Sequence, residues 1–442
     1  MLLRFIADNI FSFKDATEFN TFPSSKSHNH ESHKIVCSHA TALRLAGIYG
    51  ANGAGKSNLL LAIRLLRNAV ISGTLDKVAG NDDKAFRFDP SCSDKPSGLA
   101  IEFFQSERIF YYHLEFKGRE VVFEELLLSK KTKDVMVFRR EGSNIELNGD
   151  LLSIGLNSPF MDALDRLVRP DMLLLSFLGK YYPTEVVLVA DAYSWFTTRI
   201  RIILPETISG HVPHLLDSLS SFKQLVNNTI PELKTGISSL DVEKVVISEE
   251  SVKGNPLLLE SIREAKNNPG EPQITVGERV GEISNVVYEN GQVWRKTLVS
   301  IHQDISGNSY SVPVSIESDG TQRLIEYMPL LFGVIHKDGV YVVDEIERSI
   351  HPIMIKSIMQ KISKQENAGG QLIFTTHESC LLDQDIFRPD EIWFAQKDSE
   401  QATKLYPLSD FNIHNTANIE NGYLAGRYGG IPFLSNLKDL HW

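Results

Sequence analysis

Eight consecutive residues near the start of the chain have the types and spacing of a phosphate-binding loop. Residues 50–57, GANGAGKS, fit the pattern GxxxxGK[ST] at every specified position. In such a loop the glycines allow backbone amides to surround a β-phosphate, the lysine reaches the β- and γ-phosphates, and the final hydroxyl ligates Mg²⁺. We therefore predict that this P-loop binds ATP with Mg²⁺. The predicted ATP-binding residues are Asn52, Gly53, Ala54, Gly55, Lys56, Ser57 and Asn58.

A second segment supplies carboxylates. Residues 339–345, GVYVVDE, predict a buried strand that ends in Asp344 and Glu345. A strand followed by Asp-Glu is common by itself, but a P-loop needs a second Mg²⁺ carboxylate at the end of a neighbouring strand. The pair of motifs therefore predicts that Ser57 ligates Mg²⁺, that Asp344 holds the ion through water, and that Glu345 orients and polarises the attacking water.

Two further segments carry candidate phosphate contacts. Residues 371–377 predict an apolar strand that ends in His377, which could contact a γ-phosphate; the alternative is a histidine that only caps a turn. Ser318 and Gly320 precede an apolar helix, where a hydroxyl and a backbone amide can bind an anion; the alternative is an ordinary N-cap.

Along the chain the motifs occur in the order P-loop, helix start with Ser318 and Gly320, strand with Asp344 and Glu345, and strand with His377. This set resembles the ABC-type ATPase heads of the SMC, RecF and OLD groups. The resemblance implies that Lys56, Glu345 and His377 are catalytic, with His377 as the switch histidine. It implies that Ser318 and Gly320 form a signature motif that completes the nucleotide site of another protomer, so the active unit is at least a dimer. It also places the turn after the first strand near adenine, with the candidates Asn9, Ser12, Phe13 and Lys14.

A closer resemblance is to the AAA-type ATPases of bacterial anti-phage and abortive-infection operons, including the PARIS ATPase subunit and AbiL-like proteins. The phrases that carry it include IYGANGAGKSNLL, ESDGTQRLIEYMPLL, VVDEIERSIHP and FTTHESCLLDQ. It implies an ATPase that holds a separate toxic effector, such as a TOPRIM-type nuclease, and releases or activates it on a phage trigger. One departure is His351, where ABC transporters have an aspartate, which puts a D-loop role of residues 349–351 in doubt.

Two alternatives to this function remain. One is a RecF- or SMC-like DNA repair or recombination ATPase that clamps DNA, and the other is a scaffold that binds ATP with negligible turnover. The 442 residues carry a net charge of −11, which repels nucleic acid phosphate, so any DNA contact needs a local basic patch. About 65 residues follow His377, too few for a fused TOPRIM nuclease.

The composition favours a cytoplasmic protein. Three scattered cysteines without CxxC spacing predict neither a disulfide framework nor a zinc site. No window reaches the ~20 apolar residues of a membrane helix, and the N-terminus does not have the pattern of a signal peptide. We expect no membrane partner.

The predicted fold class is α/β: a split ABC-type P-loop head with an inserted β-meander and helical lobe, and no long coiled coil. Strands are predicted over residues 2–13 and 41–49, four strand-like runs over 100–140, and mainly helix over 155–268, with 186–203 as the longest helix. The predicted parts are 1–75 (core), 76–150 (meander), 151–271 (helical lobe) and 272–442 (second part of the core with signature, carboxylates and switch histidine).

Several other polar residues are interpreted without a chemical role. Gln105 is predicted at the surface, as are the arginine pairs at 139–140 and 199–201. His28, His30 and His33 lie in a polar segment and are not expected to bind a metal.

Overall fold

The computed structural model describes residues 1–75, 84–149, 151, 164, 166–207, 210–276, 283–411, 413 and 417–431. The chain forms two compact units. Unit 1 consists of Met1–Leu204, Val334–Ile346 and Ile358–Trp442, and unit 2 of Pro205–Gly333 and Glu347–Ser357.

A six-stranded sheet of unit 1 contains the strands that precede the predicted site. Its order is β11-β17-β18-β5-β19-β20, parallel except for the antiparallel edge pair β19–β20. Strands buried on both faces of a parallel sheet read as continuous apolar runs, as the central three do here. The bounds are Leu45–Tyr49 (β5), Ile200–Ile203 (β11), Val340–Val343 (β17), Gln371–Thr375 (β18), Ile392–Lys397 (β19) and Thr403–Pro407 (β20).

The second sheet of unit 1 is a seven-stranded antiparallel sheet in the order β10-β9-β8-β7-β6-β1-β2. The four predicted runs over 100–140 are confirmed as its consecutive strands β6 to β9. The bounds are Leu2–Asp8 (β1), Thr17–Asn20 (β2), Ser97–Gln105 (β6), Arg108–Lys117 (β7), Glu120–Ser129 (β8), Val135–Glu141 (β9) and Asn144–Leu147 (β10), and a separate pair joins Lys34–Cys37 (β3) to Ala40–Leu43 (β4).

The first helix connects the two sheets of unit 1. Helix α1, Lys56–Ser72, buries one face in an apolar cluster that also contains residues of β1, β5, β17 and β18. It ends at Gly73, whose left-handed φ of 78° is the usual glycine termination. The other α-helices among the described residues of this unit are Leu174–Tyr181 (α2), Val187–Ser194 (α3) and Ile419–Leu424 (α10), and α9, Pro352–Ser363, spans both units.

Unit 2 is built on an antiparallel sheet in the order β12-β15-β14-β13, with β16 paired to β15. Helix α6 packs on it through Leu258, Ile262 and Ala265, against Val286 and Val293 of the sheet. The strands are Ile237–Val246 (β12), Gln273–Val276 (β13), Ile283–Glu289 (β14), Gln292–Gln303 (β15) and Ser309–Pro313 (β16). The α-helices in the part of this unit that the structure describes are Val212–Ser218 (α4), Ser220–Thr229 (α5), Pro256–Asn267 (α6) and Asp319–Glu326 (α7), and α8, Met328–His336, spans both units.

The α/β class is confirmed, and so is its division into an early part with β5 and α1 and a late part with β17 to β20. Among the described residues the longest helix is α1, with 17 residues, so this part of the chain contains no long coiled coil. No described helix combines the length and apolar character needed to span a membrane.

Several local predictions are wrong at their boundaries. Residues 186–203 do not form one helix, because Ile200–Ile203 pairs in parallel with β17 and so satisfies its backbone in a sheet. The run 41–49 divides at Arg44, whose buried guanidinium donates to the carbonyls of Ile362 and Ser363 at 3.0 and 2.8 Å. The first strand ends at Asp8, since Asn9 takes a left-handed φ of 45°.

The predicted helical lobe, residues 151–271, is not entirely helical. Its range contains the ten-residue strand β12, and its beginning at 155 lies outside the described residues. The two compact units divide the chain at 204/205, 333/334, 346/347 and 357/358, and the predicted parts 1–75, 76–150, 151–271 and 272–442 stay a prediction.

Two residues predicted at the surface are buried. Gln105 donates from Nε2 to Ser194 Oγ at 3.1 Å. Arg140 is 2% exposed, and its guanidinium donates to the main-chain carbonyls of Gly142, Met172 and Arg169. An arginine that binds several carbonyls in this way orders the chain around it and cannot serve as a solvated surface charge.

Candidate active site

The P-loop forms where β5 ends and α1 begins. β5 leaves the sheet at Tyr49, and the helix starts at Lys56 after the left-handed N-cap Gly55, φ 103°. Between them Asn52 and Gly53 are exposed, and Ala54 is buried. The N-terminus of α1 therefore adjoins an exposed glycine-rich turn, which is the arrangement that favours a bound phosphate.

Thr403, which the motif does not include, hydrogen-bonds to the P-loop, and Ser12 contacts Thr403. The Thr403 hydroxyl, at the start of β20, lies 2.9 Å from Ala54 O and 2.8 Å from Ser12 Oγ. Because a carbonyl only accepts, the Thr403 hydroxyl donates to Ala54 O, and it also contacts Ser12 Oγ. Ser12 O also accepts from Thr403 N at 2.7 Å. Sequence reasoning missed Thr403, since no pattern connects it to the loop.

Replacing Gly55 by alanine is expected to lower ATP affinity at least tenfold. The added methyl would collide with the Thr403 hydroxyl and lie 2.8 Å from Ser12 Oγ, and φ 103° is unfavourable for any side chain. Isothermal titration calorimetry measures the affinity. Gly118→Ala is the matched control, because Gly118 also has a left-handed φ, 59°, but has open space around it. Equal ATP affinity in both variants would contradict this account.

The side chain of Lys56 is buried and contacts the main chain of the P-loop. Its side chain is 5% exposed, and Nζ donates to Gly50 O at 2.7 Å and to Ala51 O at 3.1 Å. The same nitrogen is 3.4 Å from His377 Nδ1. The ammonium is thus held between the loop and the end of β18.

The predicted Mg²⁺ ligands approach each other. Ser57 Oγ, in the first turn of α1, donates to Asp344 Oδ1 at 3.2 Å. Asp344 follows β17 and is 5% exposed. A hydroxyl oxygen can ligate Mg²⁺ directly, and the ion usually keeps several waters, from which a neighbouring carboxylate can accept hydrogen bonds. These two residues therefore fit a magnesium ion.

Glu345 and His377 are partly exposed and lie close to each other beside the predicted Mg²⁺ ligands. Glu345 Oε1 is 3.9 Å from His377 Nε2, and the two side chains are 38% and 36% exposed. Parallel strands β17 and β18 are neighbours, so both side chains leave the same carboxyl edge of the sheet. An accessible carboxylate beside an accessible imidazole can bind water and a phosphate oxygen.

The residues predicted to form a signature motif, Ser318 and Gly320, belong to unit 2. Ser318 is exposed and is the N-cap of α7, with Thr321 N donating to its Oγ at 3.2 Å. A Cβ added to Gly320 would lie 2.5 Å from Ser349 O, so the helix start approaches the backbone of the segment after β17 too closely for any side chain. Lys56, Ser57, Asp344, Glu345 and His377 lie in unit 1, which does not contain Ser318 and Gly320.

Three of the four adenine candidates, Asn9, Ser12 and Phe13, are buried. Phe13 is fully buried, and Asn9 Nδ2 donates to the carbonyls of Cys92, Lys95 and Pro96. An adenine contact of these residues stays a prediction. Lys14 forms ion pairs with Asp89 and Glu400.

His33 is not part of a solvated loop. It is fully buried, with Nδ1 2.9 Å from Glu391 and Nε2 3.0 Å from Ser363. His30 stacks on it at 4.8 Å between ring centroids. These contacts attach the segment before β3 to the region around β19.

Comparison with protein families identifies the chain. The family described as "AAA domain, putative AbiEii toxin, Type IV TA system" matches residues 45–383, more than half of the sequence. The chain belongs to this AAA domain family. The AAA match begins at the first residue of β5 and ends shortly after His377, so it includes all four sequence motifs. Ser12 and Thr403, which support the P-loop, lie outside it.

Among solved structures, this AAA protein is similar to an SMC head domain from Thermotoga maritima, with 13% identity, coverage of 93% of this chain and 99% of that chain, and a TM-score of 0.37. It is similar to an SMC head bound to the C-winged helix domain of ScpA, with 12% identity, 92% and 97% coverage and a TM-score of 0.42. It is also similar to a Pyrococcus furiosus SMC head with an extended coiled coil, bound to the ScpA C-terminal domain, with 15% identity, 92% and 96% coverage and a TM-score of 0.35. No curated protein matches the chain.

Proposed function

We propose that this AAA protein binds ATP with Mg²⁺, hydrolyses it, and is the ATPase subunit of a bacterial anti-phage system. The observation that carries the enzymatic part is the convergence of Lys56, Ser57, Asp344, Glu345 and His377 beside the P-loop. Each is the residue type that ATP hydrolysis needs at that place.

The chain's own residues have separate roles in this mechanism. Lys56 exchanges its contacts with the loop carbonyls for phosphate oxygens, and the start of α1 adds backbone N–H donors. Ser57 and Asp344 would hold Mg²⁺, which neutralises phosphate charge when it is bound. Glu345 accepts the proton of the attacking water, and His377, between Lys56 and Glu345, contacts the γ-phosphate.

Ser318 and Gly320 are proposed to act on the nucleotide of another protomer. Support comes from the exposure of Ser318 and from the helix start that it caps, where hydroxyl and backbone N–H donors are available to an anion. The functional assembly is then a homo-oligomer of at least two protomers, and ATP closes it.

The defence role rests on the family. Its description names a putative AbiEii toxin of a type IV toxin–antitoxin system, which is consistent with the resemblance to ATPases of abortive-infection operons. We assign toxicity to a separate effector, such as a TOPRIM-type nuclease, which this ATPase holds and then releases or activates on a phage trigger. A net charge of −11 gives no general attraction to nucleic acid.

A two-part experiment tests this function. The purified chain is expected to hydrolyse ATP with Mg²⁺, not in EDTA, and to leave plasmid DNA intact. Expressed with its neighbouring genes, it is expected to reduce phage plaques, while alone it leaves growth unchanged. Absence of ATPase activity would refute the enzymatic part. Toxicity of the chain alone, or DNA cleavage that copurifies with it, would refute the separate effector.

A further inference from the structure

Thr375, the last residue of β18, contacts three consecutive residues after β17. Its hydroxyl hydrogen-bonds to Asp344 Oδ1 and lies 2.8 Å from Glu345 N. Its carbonyl oxygen accepts from Ile346 N at 3.1 Å. Thr375 is fully buried, so water does not compete for these contacts.

Hydrogen-bond chemistry sets the direction of each contact. A backbone N–H can only donate, so Thr375 Oγ1 accepts from Glu345. The single hydroxyl proton is then donated to the Asp344 carboxylate, which also accepts from Ser57 Oγ at 3.2 Å. The donor and acceptor roles of the Thr375 hydroxyl are thereby fixed, and Asp344 Oδ1 accepts from both Thr375 and Ser57.

The same hydroxyl supports an unfavourable backbone conformation. Glu345 has φ 49°, a left-handed value that is disfavoured for any residue with a Cβ. The Thr375 hydroxyl accepts from the N–H of Glu345, and the Thr375 carbonyl accepts from the N–H of Ile346. The amide groups before and after the Cα of Glu345 are therefore both bound by Thr375. This conformation directs the Glu345 side chain toward the exposed edge of the sheet, 3.9 Å from His377.

We propose that Thr375 is a positioning residue that holds both carboxylates, Asp344 for the metal and Glu345 for water. The proposal rests on the proposed ATPase function. Neither carboxylate is held from its own strand alone. A single hydroxyl on the neighbouring strand links them, so its removal is expected to disturb both roles together.

Thr375→Val removes the hydroxyl and keeps the shape of the side chain. We expect kcat for ATP hydrolysis to fall about 10- to 100-fold, since one hydrogen bond to a charged group and one to a strained peptide are lost. KM for ATP is expected to stay within about threefold, because Lys56 and the P-loop are unchanged. Thr375→Ser keeps the hydroxyl and is expected to restore kcat to within about threefold of the wild type.

A binding measurement separates positioning from a purely structural role. The Mg²⁺ concentration that half-saturates ATP binding is expected to rise at least threefold for Thr375→Val, while binding in EDTA is unchanged. The matched control is Thr21→Val, which removes another buried hydroxyl of unit 1, bonded to Leu2 O at 2.8 Å, away from the site. It is expected to change neither kcat nor the Mg²⁺ requirement.

Failure of the positioning role can be distinguished from failure of the proposed ATPase function. If the wild type hydrolyses ATP and Thr375→Val does so equally well, the positioning role is wrong and the function stands. If Thr21→Val reproduces the loss, the effect is one of stability and the proposal falls. Should the valine variant not fold, Thr375→Cys, with its weak thiol hydrogen bond, is expected to lower kcat about 3- to 30-fold. Wild-type kcat in that variant would overturn the proposal.

Discussion

Glu345→Gln is expected to retain ATP and to lower the turnover rate at least about 100-fold. The amide has the shape of the carboxylate but cannot accept a proton from water, and general-base catalysis contributes about 10²- to 10⁴-fold. Lys56 and the P-loop, which bind the nucleotide, are not altered. Steady-state phosphate release measures turnover, and chromatography of the nucleotide extracted from the protein shows whether ATP remains bound.

The same variant tests assembly. With ATP trapped, its solution mass by light scattering is expected to rise to a dimer or beyond in ATP and Mg²⁺, and not in EDTA. A mass that stays monomeric with bound ATP would contradict the role of Ser318 and Gly320 in another protomer's site. A multimer already present without ATP would contradict ATP-driven closure.

Glu378→Gln is the matched control for Glu345→Gln. Glu378 also lies in unit 1, next to His377, and its side chain is partly exposed. The substitution makes the same change in charge, so we expect turnover within about twofold of the wild type. If both variants lost activity equally, the effect would be one of local charge, and Glu345 would not be the base.

Lys56→Met is expected to lower ATP affinity about 100-fold and to reduce hydrolysis to background. Methionine keeps the apolar stem of the side chain but removes the ammonium, and hydrogen bonds between charged groups contribute about 1.5–3 kcal/mol each. Isothermal titration calorimetry with ATP measures the loss. The thermal unfolding midpoint is expected to fall by only a few degrees, since Nζ bonds two loop carbonyls.

Lys34→Met is a control with the same chemical change. Lys34 is in the same unit and forms a surface ion pair with Glu31, so its loss is expected to leave ATP affinity unchanged. Wild-type ATP affinity in Lys56→Met would show that the P-loop lysine does not contact the nucleotide. It would remove the main support for the ATPase function.

Local sequence patterns were enough to predict the motifs and the strands that carry them. The strands predicted within residues 339–345 and 371–377 are confirmed as Val340–Val343 and Gln371–Thr375, because continuous apolar runs are properties of neighbouring residues. The same patterns failed at residues 186–203, where helical spacing continues into β11. That segment is a strand because an edge of the sheet beside β17 is available to it, and nothing within the segment records that edge.

The P-loop and its helix follow from the sequence because glycine stereochemistry, the helix start and apolar periodicity all act within residues 45–72. The side-chain contacts that hold the P-loop and the carboxylates in place do not follow from the sequence of any one segment. Thr403 meets Ser12 from 391 positions away, and Thr375 meets Asp344 across 31, because β20 pairs with β19 and β18 lies beside β17. Hydrogen bonds between side chains on different strands depend on which strands become neighbours. Strand order is set by the packing of the complete core, which no short segment encodes.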